Sequence, residues 1–284
     1  MKVLVVGGTR YFGISLVHAL QKAGHDVTIA TRGRSIDTYA NSVDRLILDR
    51  TSQQSIRDCL RGLHFAVTYD NINYSPTDTQ NLLDYLDTDR YILTSTSAVY
   101  EQGELLEERA FDPMRHKIRY GVRNDFAYDE GKRLCEAVLF QKYPISSAAV
   151  RFPVVLGEND YTKRLHQYIR AARRNEPLYI DNLEARLSFI SQQEAGDFLA
   201  FLATNLVQGP INAASSGDIS ISELCNLISE LVGGKLVLSP DGVPGALNGY
   251  ETKTLNTKKA VSAGFRFETL TSYLGELIRN DRDD

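Results

Sequence analysis

The chain has 284 residues, 43% of them hydrophobic and 24% charged, with a formal net charge of -4. That composition suits a soluble globular protein with a large core, and the charge gives no general attraction for nucleic acid or an anionic membrane. No apolar run approaches the roughly 18 residues of a membrane span, and no secretory series of charged region, apolar region and cleavage site opens the chain, so a cytoplasmic location is expected.

In chain order, KVLVV (2–6), DVTIA (26–30), RLIL (45–48), FAVTY (65–69) and RYILTS (90–95) read as strands. Continuous apolar runs of this kind predict strands buried on both faces of a parallel sheet. Helical spacing separates them. One helix begins with Ile14, Val17 and Leu20 and stops near Gly24, and others run over Ser52–Arg61 and Asp78–Leu86. A longer one, Tyr128–Lys142, precedes a sixth strand, SSAAVRF (146–152). The alternation predicts right-handed crossovers in an α/β fold, a Rossmann-like doubly wound parallel sheet over residues 1–155. Residues 156–284 are expected to form mainly a smaller C-terminal substrate lobe, with some segments returning to the first unit. Cys59, Cys135 and Cys225 stand apart as small buried residues, and the five His include no H-E-x-x-H, so no metal site is expected.

The stretch GGTRYFG, residues 7–13, follows the first strand. A dinucleotide turn needs small residues so that the chain bends, the backbone approaches the pyrophosphate and the helix packs on its strand. Gly7 and Gly8 serve the bend and Gly13 the packing, with Tyr11 and Phe12 completing the turn. Arg10 stands where the fingerprint has its middle glycine, which a negative φ and an outward side chain allow. The second strand ends in Thr31, Arg32, Gly33 and Arg34, with no acid for a ribose. Arg32 leans toward NADP over NAD, because an arginine there accommodates a 2′-phosphate. Its other reading is a solvated loop charge. Asp49, ending the third strand, is the expected acceptor for the adenine amino group.

Of fifteen tyrosines, one begins Y-x-x-x-K: Tyr128, in YDEGK. Residues four apart share a helix face, so Lys132 is expected beside Tyr128, its charge lowering a phenol pKa otherwise about 10. The fifth strand ends in Thr94, Ser95, Thr96 and Ser97, whose hydroxyls can hold a substrate oxygen at a strand's carboxyl end. A base, its tuner and an orienting hydroxyl suit proton removal from an alcohol as a hydride leaves its carbon.

GGTRYFG, TSTSAVY and YDEGK, with the later VRFPVVLGEND, ARLSFISQQEAGDFL and INAASSGDISISEL, resemble the extended short-chain dehydrogenase/reductases, the NAD-dependent epimerase/dehydratase family. The resemblance implies that Tyr128 and Lys132 are the catalytic pair, Thr96 the catalytic Ser/Thr, and Gly7 and Gly13 the outer cofactor glycines. It implies a nucleotide-sugar substrate, and a homodimer by analogy. Ser97 and Ala98 stand where family dehydratases carry Asp and Glu, which disfavours 4,6-dehydration. Epimerisation remains, with carbonyl reduction as the alternative. Arg151 and Arg186 are candidates for the substrate diphosphate, or equally for structural pairing. The departures are Arg10, the strand end at Tyr69, Asp70 and Asn71, and the long segment 101–125, expected to form a loop over the active site. GGTR plus an aromatic also resembles an atypical branch that includes chloroplast stem-loop RNA-binding proteins. The basic stretch 162–174 could serve such binding, and a solvated helix face is its blander reading.

Overall fold

A computed structural model describes residues 1–34 and 37–281. Its main sheet has seven strands: β1 (Lys2–Val6), β2 (Asp26–Thr31), β3 (Asp44–Ile47), β4 (Val67–Asp70), β5 (Arg90–Thr96), β6 (Ser146–Phe152) and β7 (Gly209–Asn212). They lie side by side as β7-β6-β5-β4-β1-β2-β3, every pair parallel. The order reverses at β1, and such a reversal opens a crevice at the carboxyl ends of the strands.

Alternation along β1 explains the two cores. Val3 and Val5 pack with Leu16, Val17 and Phe198 on one face, while Leu4 and Val6 pack with Leu82, Leu93 and Leu139 on the other. Helices cover both faces, α1 (Phe12–Lys22), α2 (Gln53–Leu60), α3 (Pro76–Leu83), α4 (Tyr128–Lys142) and α6 (Gln192–Phe201), while α5 (Arg164–Arg174) packs apart from the sheet in the later chain. The third begins earlier than the sequence suggests. Ser75 accepts from the Asp78 N–H and Pro76 supplies the pre-set first turn, a start signal in its own right. A third core, holding Leu156, Tyr168, Phe189, Leu224 and Leu274, underlies the later chain. That chain also returns to the main sheet, where β7 extends it and α6 packs on α1.

Segment 101–125 is pinned rather than loose. Its strand Gly103–Leu106 pairs with Lys253–Leu255, and Arg151 on β6 holds the Glu108 and Phe111 carbonyls at 2.7 and 3.1 Å. Among the described residues, no helix is long and apolar enough to cross a membrane. They hold no cluster of three or more His, Cys, Asp or Glu side chains fit for a metal.

Candidate active site

A cleft of about 860 Å³ opens where the strand order reverses. Gly7, Arg10, Tyr11, Phe12 and Gly13 form one wall, and Arg32, Arg34 and Asp49 line it further along. Gly13 is demanded by close approach: a Cβ there would meet the Gly7 carbonyl oxygen at 2.8 Å. Gly8 does not line the cleft. It is buried behind the turn, its carbonyl accepting from the Tyr39 hydroxyl at 2.6 Å. Arg10 is exposed, and the unusual backbone falls on its neighbour: Tyr11 has φ 55° and ψ -137°. Such a conformation costs a non-glycine residue of order 1–3 kcal/mol. A buried ring and a 2.5 Å hydrogen bond from its hydroxyl to the Val155 carbonyl hold Tyr11 there.

Asp49 turns back on its own loop, accepting from the Thr51 N–H and hydroxyl at 3.0 and 2.7 Å. These bonds, and then the charges of Arg32 and Arg34, hold its carboxyl below the usual range. The guanidinium groups of Arg10, Arg32 and Arg34 form no hydrogen bond or ion pair among the described residues, which leaves three cations on one cleft free for an anion. The strand end at Asp70 has a local explanation. Asp70 is buried and takes a two-pronged ion pair from Arg50 at 2.7 and 3.0 Å, with the Tyr91 hydroxyl donating at 2.6 Å.

A second cleft of about 840 Å³ shares Tyr11, Phe12, Asn71, Tyr74, Arg123 and Tyr161 with the first. Thr96, Tyr128 and Lys132 all line it. Thr96 lowers the Tyr128 phenol's pKa, although no hydrogen bond joins their side chains. The expected lowering of that phenol's pKa is corrected here. Protein atoms packed around the phenol push it above the ordinary value although the residue is 55% exposed, while Thr96 pulls it down, and the cation that lowers it most is Arg164. The Lys132 ammonium is engaged elsewhere. It donates to the Thr94 carbonyl at 2.8 Å and lies 4.8 Å from the centre of the Tyr74 ring, which the Arg123 guanidinium also meets at 4.3 Å.

Gly131 makes this arrangement possible. A Cβ there would meet the Tyr74 carbonyl oxygen at 2.7 Å, so α4 lies directly on the backbone after β4. Gly131→Ala is expected to push that helix outward and destabilise the fold by about 1–3 kcal/mol. A urea titration checks this, an unchanged midpoint being the contrary result.

Both substrate candidates are corrected. Arg151 is fully buried, forked onto Glu136 at 3.0 and 2.6 Å and bonded to the Tyr100 hydroxyl at 2.9 Å. No donor is left for a ligand, because burying its charge demands partners of its own. Arg186 lines neither cleft and pairs with Asp218 at 2.6 Å and Glu223 at 3.1 Å. The basic helix α5 is partly neutralised: Arg170 pairs with Glu176 and Arg173 with Asp281. Sequence reasoning missed Tyr74, Arg123, Tyr161 and Arg164. Only Gly131, inside the Y-x-x-x-K motif, hinted that α4 lies against another backbone.

The sequence profile of the NAD dependent epimerase/dehydratase family matches residues 3–214. The chain belongs to this family. It is 26% identical over 205 residues to the chloroplast stem-loop binding protein of 41 kDa b of Arabidopsis thaliana, covering 66% of this chain and 50% of that protein. It is 24% identical over 259 residues to UDP-glucuronic acid decarboxylase 1 of Xenopus tropicalis, covering 82% of this chain and 60% of that protein. The family member thus spans about half to three-fifths of these two relatives' own lengths. Among solved structures, the UDP-glucose 4-epimerase of Thermus thermophilus in complex with NAD superposes with a TM-score of 0.75 at 16% identity, over 99% of both chains. The UDP-N-acetylglucosamine 4-epimerase of Bacillus cereus gives 0.74 at 19% identity, over 100% of this chain and 98% of that one. At these identities the likeness establishes the fold alone, a Rossmann-like α/β fold.

Proposed function

We propose that this family member is an NAD(P)-dependent enzyme acting on a nucleotide sugar in the manner of a 4-epimerase, with Tyr128 as its acid and base. The observation that carries the reading is the joining of two clefts, one built on the glycine turn and one holding Tyr128 and Thr96, through a shared wall. The first cleft fits a dinucleotide: the positive end of α1 lies at the glycine turn, and the unpaired arginines suit phosphate. Bound NAD supplies the hydride acceptor and donor for oxidising a 4-hydroxyl and reducing it from the other face. The chain's own part is positional and protonic. Thr96 orients the substrate hydroxyl, and Tyr128, ionised to the phenolate, receives its proton and later returns one. Lys132 holds positive charge at the floor of the site. We place the change from cofactor-binding to substrate-binding segments near residue 155. Conversion of UDP-glucose or UDP-N-acetylglucosamine to its C4 epimer by the purified chain with NAD tests the reading, and failure to bind any nucleotide sugar overturns it.

An NADP-dependent carbonyl reductase is the second reading, favoured by the unpaired Arg10, Arg32 and Arg34. On that ground NADP is expected to bind more tightly than NAD by calorimetry, and Arg32→Ala is expected to reduce the difference severalfold. Equal or tighter NAD binding contradicts the assignment of these arginines to a 2′-phosphate. A nucleic-acid role, suggested by the chloroplast relative's name, predicts salt-dependent RNA binding that survives Tyr128→Phe. The ion pairs along α5 count against it.

A further inference from the structure

The wall shared by the two clefts gathers positive charge. Tyr74 and Arg123 line both clefts, and Val122 and Asn124 bring the end of segment 101–125 to the glycine-turn cleft beside Arg123. The Arg123 guanidinium lies 4.3 Å from the centre of the Tyr74 ring, and the Lys132 ammonium 4.8 Å from it. The Tyr74 and Tyr128 ring centres are 6.5 Å apart. No acid forms an ion pair with either cation among the described residues, and Lys132, 2% exposed, is bonded to the Thr94 carbonyl instead. The neighbouring carboxylates are engaged elsewhere. Asp125 accepts from the Val122 N–H at 2.8 Å, Asp129 pairs with Arg133 at 2.9 Å and Glu130 with Arg119 at 2.6 Å. Asp70, whose carboxylate feels the Lys132 charge, is forked onto Arg50 at 2.7 and 3.0 Å. An aromatic ring attracts a cation without cancelling its charge, so the wall keeps a positive field.

The redox forms of a nicotinamide differ in what such a field reads. The oxidised ring carries a positive charge and the reduced ring none, while the pyrophosphate is the same in both. As the alcohol carbon gives up its hydride to the ring and the hydroxyl proton goes to Tyr128, that ring charge disappears. Arg123 is exposed and its guanidinium forms no hydrogen bond among the described residues, so its seat on Tyr74 presents it to a ligand that passes from one cleft to the other. We propose that Arg123, held on Tyr74, is a cofactor-site residue that favours the reduced over the oxidised nicotinamide and so strengthens the bound dinucleotide as a hydride acceptor. This rests on the reading above that a dinucleotide lies across both clefts, and it gives segment 101–125 a part in the chemistry.

Calorimetry of the full chain with oxidised and reduced NAD, the matching NADP pair, and ADP-ribose, which lacks the nicotinamide, tests it. The wild type is expected to bind the reduced form on the order of tenfold more tightly than the oxidised form of the same dinucleotide. Arg123→Gln is expected to cut that ratio about threefold, the effect of one hydrated unit charge near the ring, and to leave ADP-ribose within about twofold. Tyr74→Leu, which removes the seat, is expected to lower the ratio as well, and Tyr74→Phe, which keeps the ring, to preserve it. An unchanged ratio in Arg123→Gln overturns the proposal and leaves the dinucleotide reading intact. Equal weakening of ADP-ribose and of both redox forms also overturns it, since Arg123 is then a phosphate contact. Binding of neither dinucleotide in either form sinks the dinucleotide reading and this proposal together.

Discussion

Phenylalanine at position 128 is expected to lower nucleotide-sugar turnover about 10²- to 10⁴-fold, the span that a positioned proton-transfer group contributes. The hydroxyl is the only group removed, and the residue is 55% exposed, so the fold has little to lose. NADH affinity is expected to stay within about twofold, because the glycine turn and its arginines are untouched. Turnover followed beside a fluorescence titration of NADH separates the two. Unchanged turnover in Tyr128→Phe would remove the phenol from the chemistry. Equal loss of turnover and of NADH binding would assign Tyr128 to holding the cofactor. Thr96→Val tests the partner hydroxyl in the same assay and is expected to cost less, since the Tyr128 oxygen that takes the proton is kept.

Arg151 carries the largest stability effect. Its side chain and that of Glu136 are both 0% exposed, and their closest contact is 2.6 Å. Removing one partner strands a buried charge, and such losses run to about 3–5 kcal/mol. Arg151→Ala is expected to lose that much, and also to free Glu108 and Phe111, unpinning segment 101–125 from the sheet. Arg151→Lys cannot reproduce the fork, because one ammonium cannot face two carboxylate oxygens and two carbonyls at once. It is expected to fall between. Urea unfolding checks this through a lower midpoint at unchanged slope. A midpoint like that of the wild type would return Arg151 to the list of free cations and reopen its role toward substrate.

The contrast between Arg151 and Arg164 shows where the sequence stopped being legible. Strand and helix periods were readable because they are local: SSAAVRF and Tyr128–Lys142 occupy the same residues in chain and structure. The glycine turn was readable for the same reason, although Gly8 proved to lie behind it. Arg151 stands at a strand's carboxyl end, where ligands bind, and nothing nearby in sequence announces Glu136 or the carbonyls of residues 108 and 111. Those partners are set by how α4 and segment 101–125 fold back. Arg164 looked like one of several charges on a basic helix, yet it starts that helix inside the cleft while Arg170 pairs with Glu176. Lys132 lines the cleft with Tyr128, but its contact with Tyr74 depends on Gly131 and on a loop after β4 that no period describes.

Everything rests on the two clefts serving one reaction. A crystal structure of the chain soaked with NAD tests that most directly. The account predicts the pyrophosphate against Gly7 and Gly13 and the nicotinamide at the shared wall, its reactive carbon over the space between Tyr128 and Thr96. A nicotinamide turned into solvent, or a glycine-turn cleft still empty at saturating NAD, would contradict it.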